Sequence, residues 1–398
     1  LKDGKYTMHF SRREEQLQPY PFAKMAEKIA ALREKGVDVI RMDIGSPDMP
    51  PAEHILAAAG TAVRDPAAHG YPAFGYGTPG LLGAVAGYYQ RRFGVALDPR
   101  QEVTALLGSK EGIFHLTQAV LNPGDVALVP DPGYPVYRVA AEWAGAEVCP
   151  LPLRRGRAFL PDLDSIPAGA LSRSRLLWIN YPNNPTGAVA GRGFYETALE
   201  FARRNNLLLC HDAAYCDVAF GGHRPPSIFE LPGAKEHAVE FTSVSKTYNM
   251  AGWRLGFLTG NAAVIAALRR VKSNVDSGIF PGVTAAGEAA LRGDQGWLAG
   301  RNAVYASRRD AVLAGLAAIG IRADPPQASL YVWAPVPAGQ TAESFANAVL
   351  DQTGVCFSPG VFFGAEGEGY VRISLGTPTR RVEEAMQRLR EWKPAQPA

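Results

Sequence analysis

The chain has 398 residues, enough for one large domain with a smaller one attached and too many for a single small core. Lysine and arginine total 41 against 38 aspartates and glutamates, a balance that excludes the strong field of a nucleic-acid or acidic-membrane binder and leaves small molecules as the expected partners. The four cysteines, Cys149, Cys210, Cys216 and Cys356, lack zinc-type pairing, and no apolar run reaches the roughly twenty residues needed to cross a bilayer, so a cytoplasmic protein with reduced thiols and no metal site is expected.

The first stretch, LKDGKYTMHFSRREEQLQPY, is charged and lacks the apolar centre of a signal peptide. With Pro19, Pro21, Pro47, Pro50 and Pro51, the first fifty or so residues read as an arm and a crossing segment. Short aliphatic runs then alternate with longer amphipathic segments. VTALLG (103–108), DVALVP (125–130), LLWIN (176–180), LLLCHD (207–212), AVEFTS (238–243) and RLGFLTG (254–260) are predicted strands buried on both faces. EGIFHLTQAVL sets Ile113, Leu116, Thr117 and Val120 on one helical face, and FYETALEFARRNN reads as a second helix. This strand, helix, strand repetition predicts a mostly parallel sheet covered on both sides. A helical tract over about 262–318 follows, and then SLYVWAPV and YVRISLG as strands of a smaller α+β unit. The expected division is 1–55 as an arm and part of the small domain, 56–290 as the large domain, and 291–398 as the rest of the small domain.

Ligands of an open parallel sheet sit at the carboxyl ends of its strands. Gly108, Ser109 and Lys110 open a helix after the first run; free N–H groups, the positive helix end and a hydroxyl suit a phosphate, or simply cap the helix. DPGYPVY holds Tyr134 at a strand edge, either as packing or as cover for a flat ring. In the turn YPNNPTG, Pro185 directs Asn184, which suits a phenolic oxygen. HDAAYCD brings Asp212, a helix cap or a functional carboxylate, with Tyr215 three residues on. SVSKTYNMAGWRLG assembles Ser243, Ser245, Lys246 and Arg254, and its lysine stands among hydroxyls rather than among the charges of a solvated face.

A phosphate cradle, a ring cover, a phenol donor, a carboxylate and a lysine answer the needs of pyridoxal 5'-phosphate: an imine at its aldehyde, a protonated ring nitrogen and a held phosphate. DPGYPVY, YPNNPTGAV, HDAAY and SVSKTYNMAGWRLGF resemble the fold-type I, class I/II aminotransferases almost from end to end, and look most like the LL-diaminopimelate aminotransferase branch. The resemblance implies an α/β fold: a large domain with a mostly parallel seven-stranded sheet covered by helices, plus a smaller α+β domain. It implies Lys246 as the Schiff-base lysine, Asp212 as partner of the pyridine nitrogen, Asn184 and Tyr215 on the phenolic oxygen and Tyr134 on the ring. Ser109, Lys110, Ser243 and Arg254 correspond to the phosphate positions, with Gly108 and Ser245 beside them. Arg372 in YVRISLG corresponds to the arginine on the substrate α-carboxylate, a bidentate task that suits guanidinium, and Gly45 in DIGSPD to the glycine next to it. Asn184 also faces the substrate.

In this family a tyrosine of the neighbouring subunit reaches the phosphate, which implies a homodimer. GYPAFGYGTPG offers Tyr71 and Tyr76; its spacing departs from the usual pattern, and Tyr71 is the expected residue. The implied activity is ping-pong transamination from an amino acid to a 2-oxo acid such as 2-oxoglutarate, with LL-diaminopimelate as the branch's donor. The alternatives are a broad alanine, aspartate or aromatic aminotransferase and a carbon–sulfur β-lyase that uses the same lysine. SNVDSGIFPGV (273–283) has no arginine for a distal carboxylate, which disfavours a plain aspartate enzyme. A regulator carrying this fold behind a DNA-binding domain is disfavoured as well, because the first fifty residues show no helix-turn-helix pattern.

Overall fold

Leu176 and Trp178 point to one side of their strand and Leu177 and Ile179 to the other, and all four are shielded from solvent by separate apolar clusters. A strand of this composition is stable only between two layers of helix, and the architecture follows from that need. The computed structural model describes residues 9–17, 21–72 and 75–392, so Pro19 of the expected arm lies outside the described residues. Its strands in chain order are β1 (Ile40–Arg41), β2 (Val103–Leu106), β3 (Val126–Asp131), β4 (Glu147–Pro152), β5 (Ser174–Asn180), β6 (Leu208–Asp212), β7 (Ala238–Ser243), β8 (Gly256–Gly260), β9 (Tyr331–Pro335), β10 (Val355–Cys356), β11 (Ser358–Pro359) and β12 (Tyr370–Ser374).

Seven of these form one sheet in the order β2-β8-β7-β6-β5-β3-β4. β8 runs antiparallel to both neighbours, and the other pairings are parallel. Six strands coincide with the aliphatic runs. The seventh, β4, has the sequence EVCPLP and is not among the predicted strands. It lies at the outer edge, paired only with β3, where the N–H groups missing at Pro150 and Pro152 cost nothing.

This topology gathers polar residues at one edge. β3, β5, β6 and β7 end together, and Asn180 is in register with Asp212. Because β8 runs the opposite way, it begins where they end: Gly256 is paired with Ser243 on one side and Leu106 on the other. Arg254, just before β8, and Gly108, just after β2, therefore meet at that edge.

The predicted helical tract is three helices, Ala262–Lys272, Pro281–Arg292 and Trp297–Ala318, separated at Gly278, in the left-handed region with φ +102, and near Gly293 and Gly296. A second layer contains the antiparallel set β11-β12-β9 and the parallel pair β1 with β10. Its core packs Ile40 and Met42 against Val312, Val332, Phe345 and Val371, so the chain's early residues complete a unit made mostly from its end. Among the described residues no helix is long and apolar enough to cross a membrane, and the four cysteines are unpaired.

Candidate active site

At the common strand edge lies a cavity of about 370 Å³. Its wall includes Ser109, Lys110, Tyr134, Asn184, Asp212, Tyr215, Ser243, Ser245, Lys246, Arg254, Gly45 and Arg372, so the residues singled out in the sequence converge on one space. Gly108 stands behind Arg254. Tyr71 and Tyr76 are not among the wall residues: Tyr71 is 90 % exposed, and Tyr76 lies under Arg269, whose guanidinium carbon is 4.1 Å from the ring centre.

Lys246 sits in the four-residue helix Val244–Thr247, whose first turn is held by Ser243 accepting from the Ser245 N–H at 3.1 Å. At its other end the buried guanidinium of Arg301 donates to the carbonyls of Lys246, at 2.8 Å, and of Thr247. The ammonium reaches across the cavity and donates to the Gly45 carbonyl at 2.6 Å. Burial first, then the positive charges of Arg372 and Arg254, bring the Lys246 pKa down to about 8. Arg372, brought to the same cavity by β12, is the larger of the two charges, ahead of Arg254, which is the nearer in sequence.

Asp212, at the end of β6, is buried. Its Oδ2 accepts from the Tyr137 hydroxyl at 2.6 Å and its Oδ1 from the Ala214 N–H at 3.3 Å; no helix follows β6 directly, so the second bond closes a turn and the helix-cap alternative does not hold. Burial pushes the carboxyl pKa up, and the Tyr137 hydrogen bond opposes it. Asn180 fastens the neighbourhood together: its Nδ2 donates to the Asp212 carbonyl at 2.7 Å and its Oδ1 accepts from the Asn184 N–H at 2.8 Å. Tyr134 stands edge-on to Tyr137, which in turn stacks on Trp178 with ring centres 4.8 Å apart.

At the anion end, Gly108 has φ +79 and leads into the helix Ser109–Val120. A Cβ there would lie 2.3 Å from Arg254 Nη2, and one at Gly256 would lie 2.8 Å from the Ser109 nitrogen. Both glycines are needed for an arginine to reach a helix N-terminus whose N–H groups point the same way, an arrangement that favours an anion. Lys110 adds a second cation, its pKa lowered by burial and then by Arg254.

At the opposite end the Arg372 guanidinium lies between the rings of Tyr331 and Phe363, 4.3 and 4.5 Å from their centres. It donates to Asn184 Oδ1 at 2.9 Å and to the Asp43 carbonyl at 2.6 Å. Its Nε is buried with no hydrogen-bond partner, a donor awaiting an acceptor. The Tyr215 and Tyr331 hydroxyls are 2.6 Å apart, and burial followed by Tyr331 keeps the Tyr215 phenol well above its ordinary pKa and so protonated.

Tyr137, Asn180 and Tyr331 were missed in the sequence. Tyr137 is the last letter of DPGYPVY, three residues after Tyr134 where a helix begins, and Asn180 closes LLWIN; both signals were readable. Tyr331 offers none, since an aromatic in SLYVWAPV is what any buried strand would contain.

The cavity tests well against pyridoxal 5'-phosphate. An anion cradle stands at one end, a buried carboxylate and phenol donors line the middle, an amine of lowered pKa faces them, and an unpartnered guanidinium nitrogen waits for a carboxylate. The family model for aminotransferase class I and II matches residues 37–389. An LL-diaminopimelate aminotransferase of Syntrophobacter fumaroxidans is 51% identical over 375 residues, covering 94% of this chain and 96% of that protein. One of Dehalococcoides mccartyi is 51% identical over 386 residues, covering 97% and 99%. Among solved structures, a probable N-succinyldiaminopimelate aminotransferase from Thermus thermophilus superposes with a TM-score of 0.87 at 40% identity, over 93% of this chain and 99% of that one. The chain belongs to the class I and II aminotransferases and is a pyridoxal 5'-phosphate-dependent enzyme that moves amino groups between amino acids and 2-oxo acids.

Proposed function

We propose that the enzyme takes its amino group from LL-diaminopimelate, passes it to 2-oxoglutarate, and works as a homodimer. The observation that carries the donor is the identity of about half, over nearly the whole length of both chains, with proteins bearing that name in two organisms. When bound, the cofactor supplies an aldehyde that takes up the amino group and a protonated ring that draws electrons from the substrate Cα. The chain's own residues do the rest. Ser109, Lys110, Ser243, Ser245 and Arg254, with room made by Gly108, hold the phosphate. Asp212, steadied by Tyr137, faces the ring nitrogen, Tyr134 covers the ring, and Asn184 and Tyr215 hold its phenolic oxygen. Arg372, still lacking an acceptor for Nε, takes the substrate α-carboxylate beside Gly45. Lys246 would hold the cofactor covalently and, once displaced, would serve as the base for the proton at Cα, its pKa of about 8 giving a larger share of free amine near neutral pH than an ordinary lysine has.

Support for the dimer comes from the surface. Tyr71, Val275 and Phe280 are 90, 63 and 42 % exposed. Their segments adjoin, since a Cβ at Gly278 would lie 2.9 Å from the Gly75 Cα. An exposed apolar patch of this kind suits a second copy, and a twofold contact would let Tyr71 of each chain complete the other's phosphate site. We also retain the division into 1–55, 56–290 and 291–398, favoured by the packing of Ile40 and Met42 with the C-terminal core.

A panel of donors with 2-oxoglutarate, followed by glutamate formation, tests the reading. LL-diaminopimelate is expected to give the highest kcat/KM. Faster turnover of alanine, aspartate or aromatic donors, or release of ammonia and a keto acid without an acceptor, would replace it with the broad transaminase or the β-lyase.

A further inference from the structure

On the face of the sheet turned away from the cavity, one residue before Asp212, lies an ionisable pair with no access to solvent. His211 and Glu240 are register partners on β6 and β7, both 0 % exposed, with Nδ1 2.8 Å from Oε2. Hydrogen-bond accounting decides their charges. The Tyr89 hydroxyl, itself accepting from Thr259, donates to Glu240 Oε1 at 2.8 Å. The Ser227 hydroxyl, itself accepting from the Phe229 N–H, donates to the same oxygen at 2.9 Å. The Ile228 N–H donates to Oε2 at 3.0 Å. One proton is shared between Nδ1 and Oε2, and the Tyr89, Ser227 and Ile228 donors on the two oxygens stabilise the ionised carboxylate, which places that proton on the ring. On the other side of the ring, Nε2 lies 3.0 Å from the Tyr181 carbonyl, which can only accept, and 3.3 Å from the Tyr195 hydroxyl. A lone pair on Nε2 would face that carbonyl oxygen. A hydrogen on each nitrogen satisfies every contact.

We infer that His211 is held as an imidazolium by Glu240 and acts as a positioning residue for Asp212, its charge on the far face of the strand keeping the adjacent buried carboxyl ionised while its Nε2–H anchors the carbonyl from which the Asn184 turn departs. Electrostatics run the same way. Burial raises the Asp212 pKa, and the Tyr137 and Ala214 hydrogen bonds and, after them, a charge on His211 lower it. The other groups facing this pair do not compete. Tyr89, Tyr195 and Cys216 are all pushed well above their ordinary values, chiefly by burial, and stay neutral. Glu230 lies at the surface and is occupied by the Ser227 N–H at 2.8 Å. The functional consequence rests on Asp212 being the partner of the ring nitrogen; the charge state of His211 does not.

The experiment labels histidine with 15N in the full-length protein, with and without cofactor, and assigns His211 by the signal lost in His211→Gln. Hydrogens on both ring nitrogens near neutral pH are expected, and a neutral ring would overturn the inference. A second arm uses the double variant His211→Gln/Glu240→Gln, which keeps hydrogen-bonding groups and removes both charges. In cofactor-free protein with 13C-labelled aspartate, the Asp212 carboxyl is expected to titrate roughly half to one pH unit higher in that variant, the size of a neighbouring charge partly offset by its counter-ion. An unmoved midpoint accompanied only by a lower Tm would mean a purely structural pair and would also overturn it. Where the double variant does not fold, the histidine measurement on the unaltered protein decides. Near-normal turnover of Asp212→Asn would remove the ring-nitrogen reading alone and leave both measurements intact.

Discussion

Replacing Lys246 by methionine in the cofactor-free protein is expected to make it more stable at neutral pH. The ammonium pKa stands at about 8 where an ordinary lysine has 10.5, because of burial and then Arg372 and Arg254. That gap corresponds to roughly 3 kcal/mol working against the charged form. Methionine keeps the length and apolar stem without the charge. The lost hydrogen bond to the Gly45 carbonyl and the partial solvent access of Lys246 reduce the expected gain to about 1–2 kcal/mol. The sign with pH follows from proton counting. Between about 8 and 10.5 the unfolded chain still holds the proton that the folded protein has released, so unfolded binds more protons and wild-type stability rises with pH through that window. The variant's advantage is full below about 8 and has closed by 10.5. Urea denaturation of both proteins at one protein concentration, at several pH values across the window, measures it. A variant no more stable than wild type at neutral pH, or an advantage that persists unchanged into the alkaline range, would refute the reasoning.

Gly45→Ala would put a Cβ 1.9 Å from the Tyr331 hydroxyl, so a loss of about 1–3 kcal/mol is expected, with part of it recovered in Gly45→Ala/Tyr331→Phe; thermal melts decide, and a wild-type Tm for the single variant would contradict the packing. Arg372→Lys keeps the charge but loses the fork and the stacking between two rings, for an expected fall in kcat/KM of about 10²–10³, or roughly 3–4 kcal/mol, with every donor alike. Steady-state kinetics with two unrelated donors checks it, and a loss confined to one of them would mean that Arg372 reads the side chain instead of the α-carboxylate. Tyr137→Phe removes the hydrogen bond that opposes the rise of the Asp212 pKa, so the folded-state pKa goes up and the acid limb of the kcat/KM profile moves to higher pH; an unmoved limb would show that Tyr137 only packs.

The aliphatic strands and the residues just past them were readable because a two-sided sheet demands continuous apolar runs, against which polar residues such as Asp212 and Lys246 stand out at or just past their ends. β4 escaped the same reasoning. An edge strand answers to one neighbour and to solvent, so its sequence carries Glu147, Pro150 and Pro152 without penalty. Arg372 came from family resemblance, since its partners Asn184, Asp43 and Tyr331 are brought to it only by tertiary folding. His211 in HDAAYCD carries no signal of its own: alternation along β6 turns it away from the cavity, and its partner Glu240 is 29 residues distant.

The two prolines of β4 have a consequence for how copies of this chain meet. A sheet grows by adding a strand to a rim that offers both N–H and C=O groups, and the rim at β4 lacks amide hydrogens at two of its six positions. A neighbouring chain docking there would find a ladder with missing rungs, and strand-by-strand propagation into fibres stops before it starts. Strand addition is thereby opposed at this rim, and the pairing proposed above would instead use a side-chain surface such as the one carrying Tyr71 and Phe280.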